Sequence, residues 1–326
     1  MMESNEFEMR VDLTDFSEKV QSMKQEIRKL IVGQEQMIDL LIIALLSDGH
    51  VLIEGVPGVA KTLTARLLSQ IIDTRFQRIQ FTPDLMPSDL IGTSVYNAQK
   101  GDFEFKKGPL FSNIVLIDEI NRSPAKTQSA LFEVMEERNI TVEGKTYHLE
   151  KPFFVVGTQN PIEHEGTYRL PEAQLDRFFF KIEIGFPSLE EEQAILNLYN
   201  TEDYKESLEK INPVISVSDL MKIKNQVNNI HVEEHLFQYI AQIVHETRNN
   251  PDIFLGASPR ASLAVLKAAK AFAAMNGKDF ITPDDIKFVV PPALVHRIIP
   301  SPEKEIEGIL PQHIIESILK KIEIPR

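Results

Sequence analysis

Gly55-Val56-Pro57-Gly58-Val59-Ala60-Lys61-Thr62 sets two glycines, a lysine and a hydroxyl between an apolar run and a helical pattern. The run before it is His50-Val51-Leu52-Ile53-Glu54, and Leu63-Thr64-Ala65-Arg66-Leu67-Leu68 follows with helical spacing of its apolar residues. A strand, a glycine-rich loop and a helix N-terminus in that order offer backbone N–H groups to a chain of phosphates. Lys61 would offset charge on the terminal phosphates, and the Thr62 hydroxyl would sit on Mg²⁺. Ala60 stands where glycine is usual; it narrows the allowed backbone conformations but leaves the N–H donors in place. A chance glycine-rich turn is the competing reading, and the acids downstream weigh against it.

Those acids close a second apolar run, Ile114-Val115-Leu116-Ile117-Asp118-Glu119. Behind a phosphate loop, this pair has the Walker B arrangement. Asp118 would hold the metal through water, and Glu119 would polarise the water that attacks the γ-phosphate. Asn160 ends a third run, Val155-Val156-Gly157-Thr158-Gln159-Asn160. Its amide can bridge attacking water and γ-phosphate without adding charge, or simply close a turn before Pro161. Arg260 follows Ser258-Pro259, a helix-capping pair, so a cation sits at the positive end of a helix dipole. That placement makes sense if an anion lies opposite; the alternative is a solvated surface arginine. Arg177 and Arg169 have no obvious partner in the same nucleotide site. Either could reach a neighbouring subunit as an arginine finger, or could pair within the chain, for instance with Glu172 or Asp176. His231-Val232-Glu233-Glu234-His235 spells a zinc-protease pattern, but helical periodicity starts only at Glu233, so the two histidines would not share a helical face.

The 326 residues are 43% hydrophobic and 25% charged, enough chain for two domains of a soluble protein. No apolar run approaches a membrane span, and the acidic start, Met1-Met2-Glu3-Ser4-Asn5-Glu6, is unlike a secretory signal. Zero cysteines exclude disulfides, thiolate metal sites and cysteine nucleophiles, and fit a cytoplasmic location. A net charge of −13 argues against general affinity for nucleic acid.

The elements that must position these groups are five strand-like runs: the one before the loop, then Phe76 to Phe81, Ile114 to Ile117, Phe153 to Gly157, and Phe178 to Ile184. Helical segments between them imply an α/β layer with a largely parallel sheet, whose ligands bind at the carboxyl ends of the strands. Ahead of the sheet, an amphipathic helix spans Phe16 to Leu30 and an apolar one Met37 to Leu46. Beyond Phe186-Pro187-Ser188 the pattern is almost wholly helical, opening with a capping box, Ser188 and Glu191. Three units follow: a helical lead, 1–30; an ATPase core, 31–186; and a smaller helical unit, 187–326. Residues Asn200 to Pro213 are expected to be charged and exposed.

From about Ile31 to about Arg297 the chain resembles the MoxR family of AAA+ ATPases. The resemblance is carried by Gly55 to Thr62, Asp118-Glu119-Ile120-Asn121-Arg122, Gln159-Asn160-Pro161, Leu170-Pro171-Glu172-Ala173-Gln174-Leu175-Asp176-Arg177-Phe178, and Gly256-Ala257-Ser258-Pro259-Arg260. Ala60 fits the family's spelling; Arg169 departs from it, because proline is expected there. The resemblance implies an AAA+ P-loop core with a five-stranded parallel sheet and an all-helical lid. It also implies an ATP- and Mg²⁺-dependent motor assembled as a ring, usually a hexamer. Position by position, Asn160 matches sensor 1, Arg177 the arginine finger and Arg260 sensor 2, while Ile31-Val32-Gly33-Gln34 matches the segment against adenine. Thr82 to Pro109, turning at Gly101-Asp102, resembles the helix-2 insert, and Asn139 to Leu149, turning at Glu143-Gly144, the pre-sensor-1 hairpin.

What the resemblance implies about function is chaperone-like remodelling or maturation of a protein client, with a von Willebrand factor A domain protein as partner. Three alternatives stay open. A chelatase motor subunit would share the same core. A DNA motor like the MCM helicases would want basic residues on a hairpin that here reads Asn139-Ile140-Thr141-Val142-Glu143-Gly144-Lys145. A non-hydrolysing nucleotide-binding scaffold is disfavoured by the intact Asp118-Glu119 pair.

Overall fold

The computed structural model describes residues 13–160, 168–201, 208 and 210–325. Pro161 of the third motif, the first twelve residues and the terminal Arg326 lie outside them. The chain opens with two helices, α1 (Thr14–Arg28) and α2 (Glu35–Leu46). Phe16, Val20, Met23 and Ile27 recur at helical spacing and form the buried stripe of α1. By contrast, α2 is apolar nearly all round and is buried nearly all round.

The nucleotide-loop strand β1 (Val51–Gly55) leads to α3 (Lys61–Ile71) and β2 (Phe76–Gln80). A short helix, α4 (Pro87–Ile91), and a hairpin, β3 (Gly92–Asn97) with β4 (Asp102–Lys107), precede β5 (Ile114–Asp118). Helix α5 (Ala125–Glu137) then runs into a second hairpin, β6 (Asn139–Val142) with β7 (Lys145–His148). Next come β8 (Phe154–Gln159), the short α6 (Glu172–Leu175) and β9 (Phe180–Ile184).

Strands β2-β5-β8-β1-β9 form one five-stranded sheet, every pair of it parallel. The central strands are buried on both faces, which is why they read as unbroken apolar runs. Alternate residues divide between two cores. Val51, Ile53, Ile114, Leu116, Phe154 and Val156 join α1, α2 and α3, whereas Leu52, Val115, Ile117 and Val155 pack with Leu131, Phe132 and Met135 of α5.

After β9 come α7 (Leu189–Thr201), α8 (Val217–Asn228), α9 (Glu234–Asn249), β10 (Ile253–Leu255), α10 (Pro259–Met275), α11 (Pro283–Leu294), β11 (Ile299–Pro300), α12 (Pro302–Ile306) and α13 (Pro311–Lys321). The small β10–β11 ladder departs from the purely helical expectation. Ser188 and Glu191 make both bonds of the expected capping box, at 2.8 and 3.2 Å. Ser258 and Thr282 cap α10 and α11 ahead of a first-turn proline, as their sequences anticipate. In the Asn200–Pro213 stretch, Leu208 and Ile211 are buried in the main core, correcting the expectation of exposure; the residues between 202 and 207 and residue 209 are outside the description.

Both inserts are antiparallel hairpins. The second turns on Glu143 (φ 50°) and Gly144 (φ 77°), the left-handed pair that suits a tight hairpin. Phe105 of β4 stacks on Tyr147 of β7 at 4.9 Å, and Phe111 meets both rings edge-on, so one aromatic cluster joins the two hairpins. Among the described residues, no helix is long and apolar enough to cross a membrane.

Candidate active site

β1 delivers the loop to the carboxyl edge of the sheet. Gly58 takes φ 88°, a conformation that excludes most side chains, and Ala60 takes φ 59° at the N-cap of α3. No side chain caps α3, so its first N–H groups remain available to an anion. Lys61 folds back and donates to Gly55 O at 2.6 Å. Burial pushes its ammonium below the usual lysine range, opposed by the carboxylates of Asp118, Glu119 and Glu54. Around it, Val56 and Thr62 are half-buried, Pro57 is exposed, Val59 is buried, and Leu63 packs on the main core.

The segment from Ile31 to Gln34 is tied to this loop. Ile31 is buried and Val32 half-buried, and Gly33 (φ 68°) and Gln34 (φ 56°) turn the chain into α2. Gln34 Nε2 donates to Val59 O at 3.2 Å, while its Oε1 is buried without a partner among the described residues. Beside it, a cleft of about 290 Å³ is lined by Gln34, Met37, Ile184, Phe186, Pro292 and Gln312, drawn from α2, the end of β9, α11 and α13. An orphaned amide oxygen at such a cleft fits the exocyclic amine of a purine base.

The acid pair closes the adjoining edge. Asp118 accepts from Arg78 Nε at 2.5 Å and from Thr158 Oγ1 at 3.1 Å. Glu119 lies in the left-handed region (φ 56°), and its backbone N–H donates to Thr158 Oγ1 at 3.0 Å. Its carboxylate receives Gln80 Nε2 at 2.8 Å and pairs with Arg122 at 3.1 Å. A non-glycine residue held at positive φ carries strain that cross-links must sustain, a pattern common at reacting groups. Register puts Gln159 opposite Glu54 of β1, with β8 lying between β1 and β5. Asn160 therefore stands at the level of Gly55, between loop and acid pair. Thr62 and Asp118 could hold Mg²⁺, since a hydroxyl and a carboxylate are the hard oxygen donors that this ion takes.

The arginines lie elsewhere. Phe180 pairs with Val51 and Ile184 with Gly55, so Arg177, ahead of β9, lies at the amino edge of the sheet. The length of β1, about 17 Å at 3.3 Å per residue, separates it from the loop. There Arg177 donates to Phe132 O at 3.0 Å and pairs with Glu136 near the end of α5. Arg260, on α10, meets the other oxygen of Glu136 at 2.5 Å. The anion expected opposite Arg260 is thus Glu136. Arg169 is exposed and lies 3.7 Å from Glu172. His231 sits in an isolated bridge to Phe280, ahead of α9, so it shares no helical face with His235.

Residues 50–180 match the ATPase family associated with various cellular activities (AAA), and residues 245–318 match the AAA lid domain. A protein named Chaperone MoxR1 from Mycobacterium tuberculosis is 41% identical over 92% of this chain and 81% of its own. The chain belongs to the MoxR family of AAA+ ATPases. Uncharacterized protein YeaC of Bacillus subtilis is 46% identical over 92% of this chain and 93% of its own. A crystal structure from Cytophaga hutchinsonii superposes with a TM-score of 0.89 at 44% identity, covering 96% of this chain and 97% of that one.

In this MoxR-family chain, the structure gathers the loop, Gln34, Asp118, Glu119 and Asn160 at one edge of the sheet, and Arg177 with Arg260 of α10 at the other. Sequence reasoning missed Arg78, Gln80, Thr158 and Glu136. A signal was present for the first two: polar residues two apart in β2 mark an edge strand aiming one row of side chains alongside β5.

Proposed function

We propose that this MoxR-family chain is an Mg²⁺-dependent ATPase that assembles head to tail into a ring and uses hydrolysis to remodel a protein client. In this reading, residues 31–186 form the motor core and 187–326 the lid, behind a helical lead, 1–30. The backbone N–H groups from Gly58 to Thr62 and the Lys61 ammonium bind the phosphates, and Gln34 reads the base. Glu119 orients and deprotonates the attacking water, with Asn160 holding it from the other side. Mg²⁺ on Thr62 and Asp118 would offset charge between the terminal phosphates.

The observation that carries the reading is the place of the cations. Arg177 and Arg260 share one carboxylate at the amino edge of the sheet, a strand's length from their own loop. That placement favours a second copy as the route by which they reach a γ-phosphate, and such a contact joins unlike faces, as rings require. The name of the 41% identical relative, a chaperone, supports a protein client. Family resemblance alone supports a von Willebrand factor A domain partner and a hexamer.

Mixing tests the reading. Arg177→Ala should bind ATP without turning it over, and Lys61→Ala should not bind. Combined, they should recover activity at interfaces pairing an intact loop with an intact arginine. Failure to recover at every ratio would put Arg177 to work within its own chain.

A further inference from the structure

Glu136 lies outside every motif, yet its carboxylate is where the two arginines meet. Its Oε2 pairs with Arg177 and its Oε1 accepts from Arg260 Nη2 at 2.5 Å. Among the described residues, neither guanidinium pairs with a second carboxylate. Each guanidinium carries five N–H donors, so one shared carboxylate leaves most of them for another anion. Two like charges would otherwise move apart, and Arg260 already sits unfavourably at the start of a helix.

A second link sets the same register. Asp176 accepts from Ser258 Oγ at 2.9 Å and from the buried Arg297 at 2.8 Å. Ser258 in turn accepts the N–H of Arg260. The Asp176-Arg177 dipeptide and the start of α10 are therefore stitched twice, once through Ser258 and once through Glu136.

We propose that Glu136 is the positioning residue of the arginine pair, holding Arg177 from the core and Arg260 from the lid so that both reach one γ-phosphate of a neighbouring copy. This rests on the reading that the arginines act across an interface. The arrangement predicts a defect confined to the donating side of that interface.

The test uses full-length chains mixed in pairs and reads ATP turnover. Lys61→Ala protein, which can only donate arginines, is combined with Arg177→Ala protein, which can only hydrolyse. Adding Glu136→Gln to the donor should lower recovered kcat by about tenfold or more, as loss of a charge-assisted hydrogen bond implies, with KM unchanged. Adding Glu136→Gln to the Arg177→Ala acceptor should leave recovery intact. A general folding defect would lower both, so equal losses on the two sides, or no loss on the donor side, overturn the role of Glu136. If unmodified Lys61→Ala donor rescues nothing, the interface reading itself fails, and that result is distinct because a failure of Glu136 alone leaves this rescue in place.

Discussion

His50, immediately ahead of β1, should make the fold lose stability in acid. Its Nε2–H donates to Met135 O at 3.0 Å, and the Val155 N–H donates to Nδ1 at 3.0 Å. Only the neutral ring can do both. Burial, reinforced by the Arg138 cation, pulls its pKa from 6.5 to about 4. Above pH 6.5 both folded and unfolded chains hold it neutral and the contribution is complete. As pH falls from 6.5 to 4, the unfolded chain takes up a proton that the folded chain refuses, so stability drains away through that window. The gap between the two values, at 1.36 kcal/mol per pH unit, amounts to about 3 kcal/mol. His50→Gln keeps a donor for Met135 O but leaves the Val155 N–H unanswered, costing about 1–3 kcal/mol at pH 7. Urea unfolding of both proteins from pH 7 to 4 is the assay. The wild-type advantage should shrink steadily toward pH 4, while acid loss from the buried His296 appears in both proteins and cancels in the difference. Parallel stability curves across the range would refute the reasoning.

Glu119→Gln should bind ATP and Mg²⁺ without hydrolysis, since the amide cannot take a proton from water; turnover at the wild-type rate would remove Glu119 as the base. Ala60→Gly should raise unfolding stability by about 1 kcal/mol, because glycine takes the left-handed conformation without penalty; a fall in denaturant midpoint would contradict this. ATP turnover should ignore single- and double-stranded DNA at low salt, given a net charge of −13 and few basic residues on the β6–β7 hairpin. A severalfold, salt-sensitive stimulation would favour a DNA motor.

The sheet was legible because its central strands are buried on both faces and so read as apolar blocks, each ending in a polar motif at the carboxyl edge. The β6–β7 hairpin was legible from its turn pair, Glu143-Gly144, whereas the β3–β4 turn falls just before the expected Gly101-Asp102, with Asp102 already paired to Asn97; the starts of α7, α10 and α11 were legible from their caps. What pairs across space was not. Arg78 and Gln80 become partners of Asp118 and Glu119 only once β2 is set beside β5, and nothing in the order of residues states that register. Glu136 looks like one more acid on an exposed helix turn until Arg177 and Arg260, far apart in the chain, arrive at it. Leu208 and Ile211 were hidden by charged neighbours, since two apolar residues in a polar stretch give no periodicity to read.

The aromatic junction of Phe105, Phe111 and Tyr147 removes a degree of freedom from the surface. The β3–β4 and β6–β7 hairpins are separate loops by sequence, yet their rings are in contact, so swinging one against the other would break that packing. Lys107 adds a cation 5.1 Å from the Phe111 ring, at the same joint. Phe111 also leads directly into β5, the strand that ends in the acid pair. The two hairpins therefore meet at one packed joint, a strand's length from Glu119.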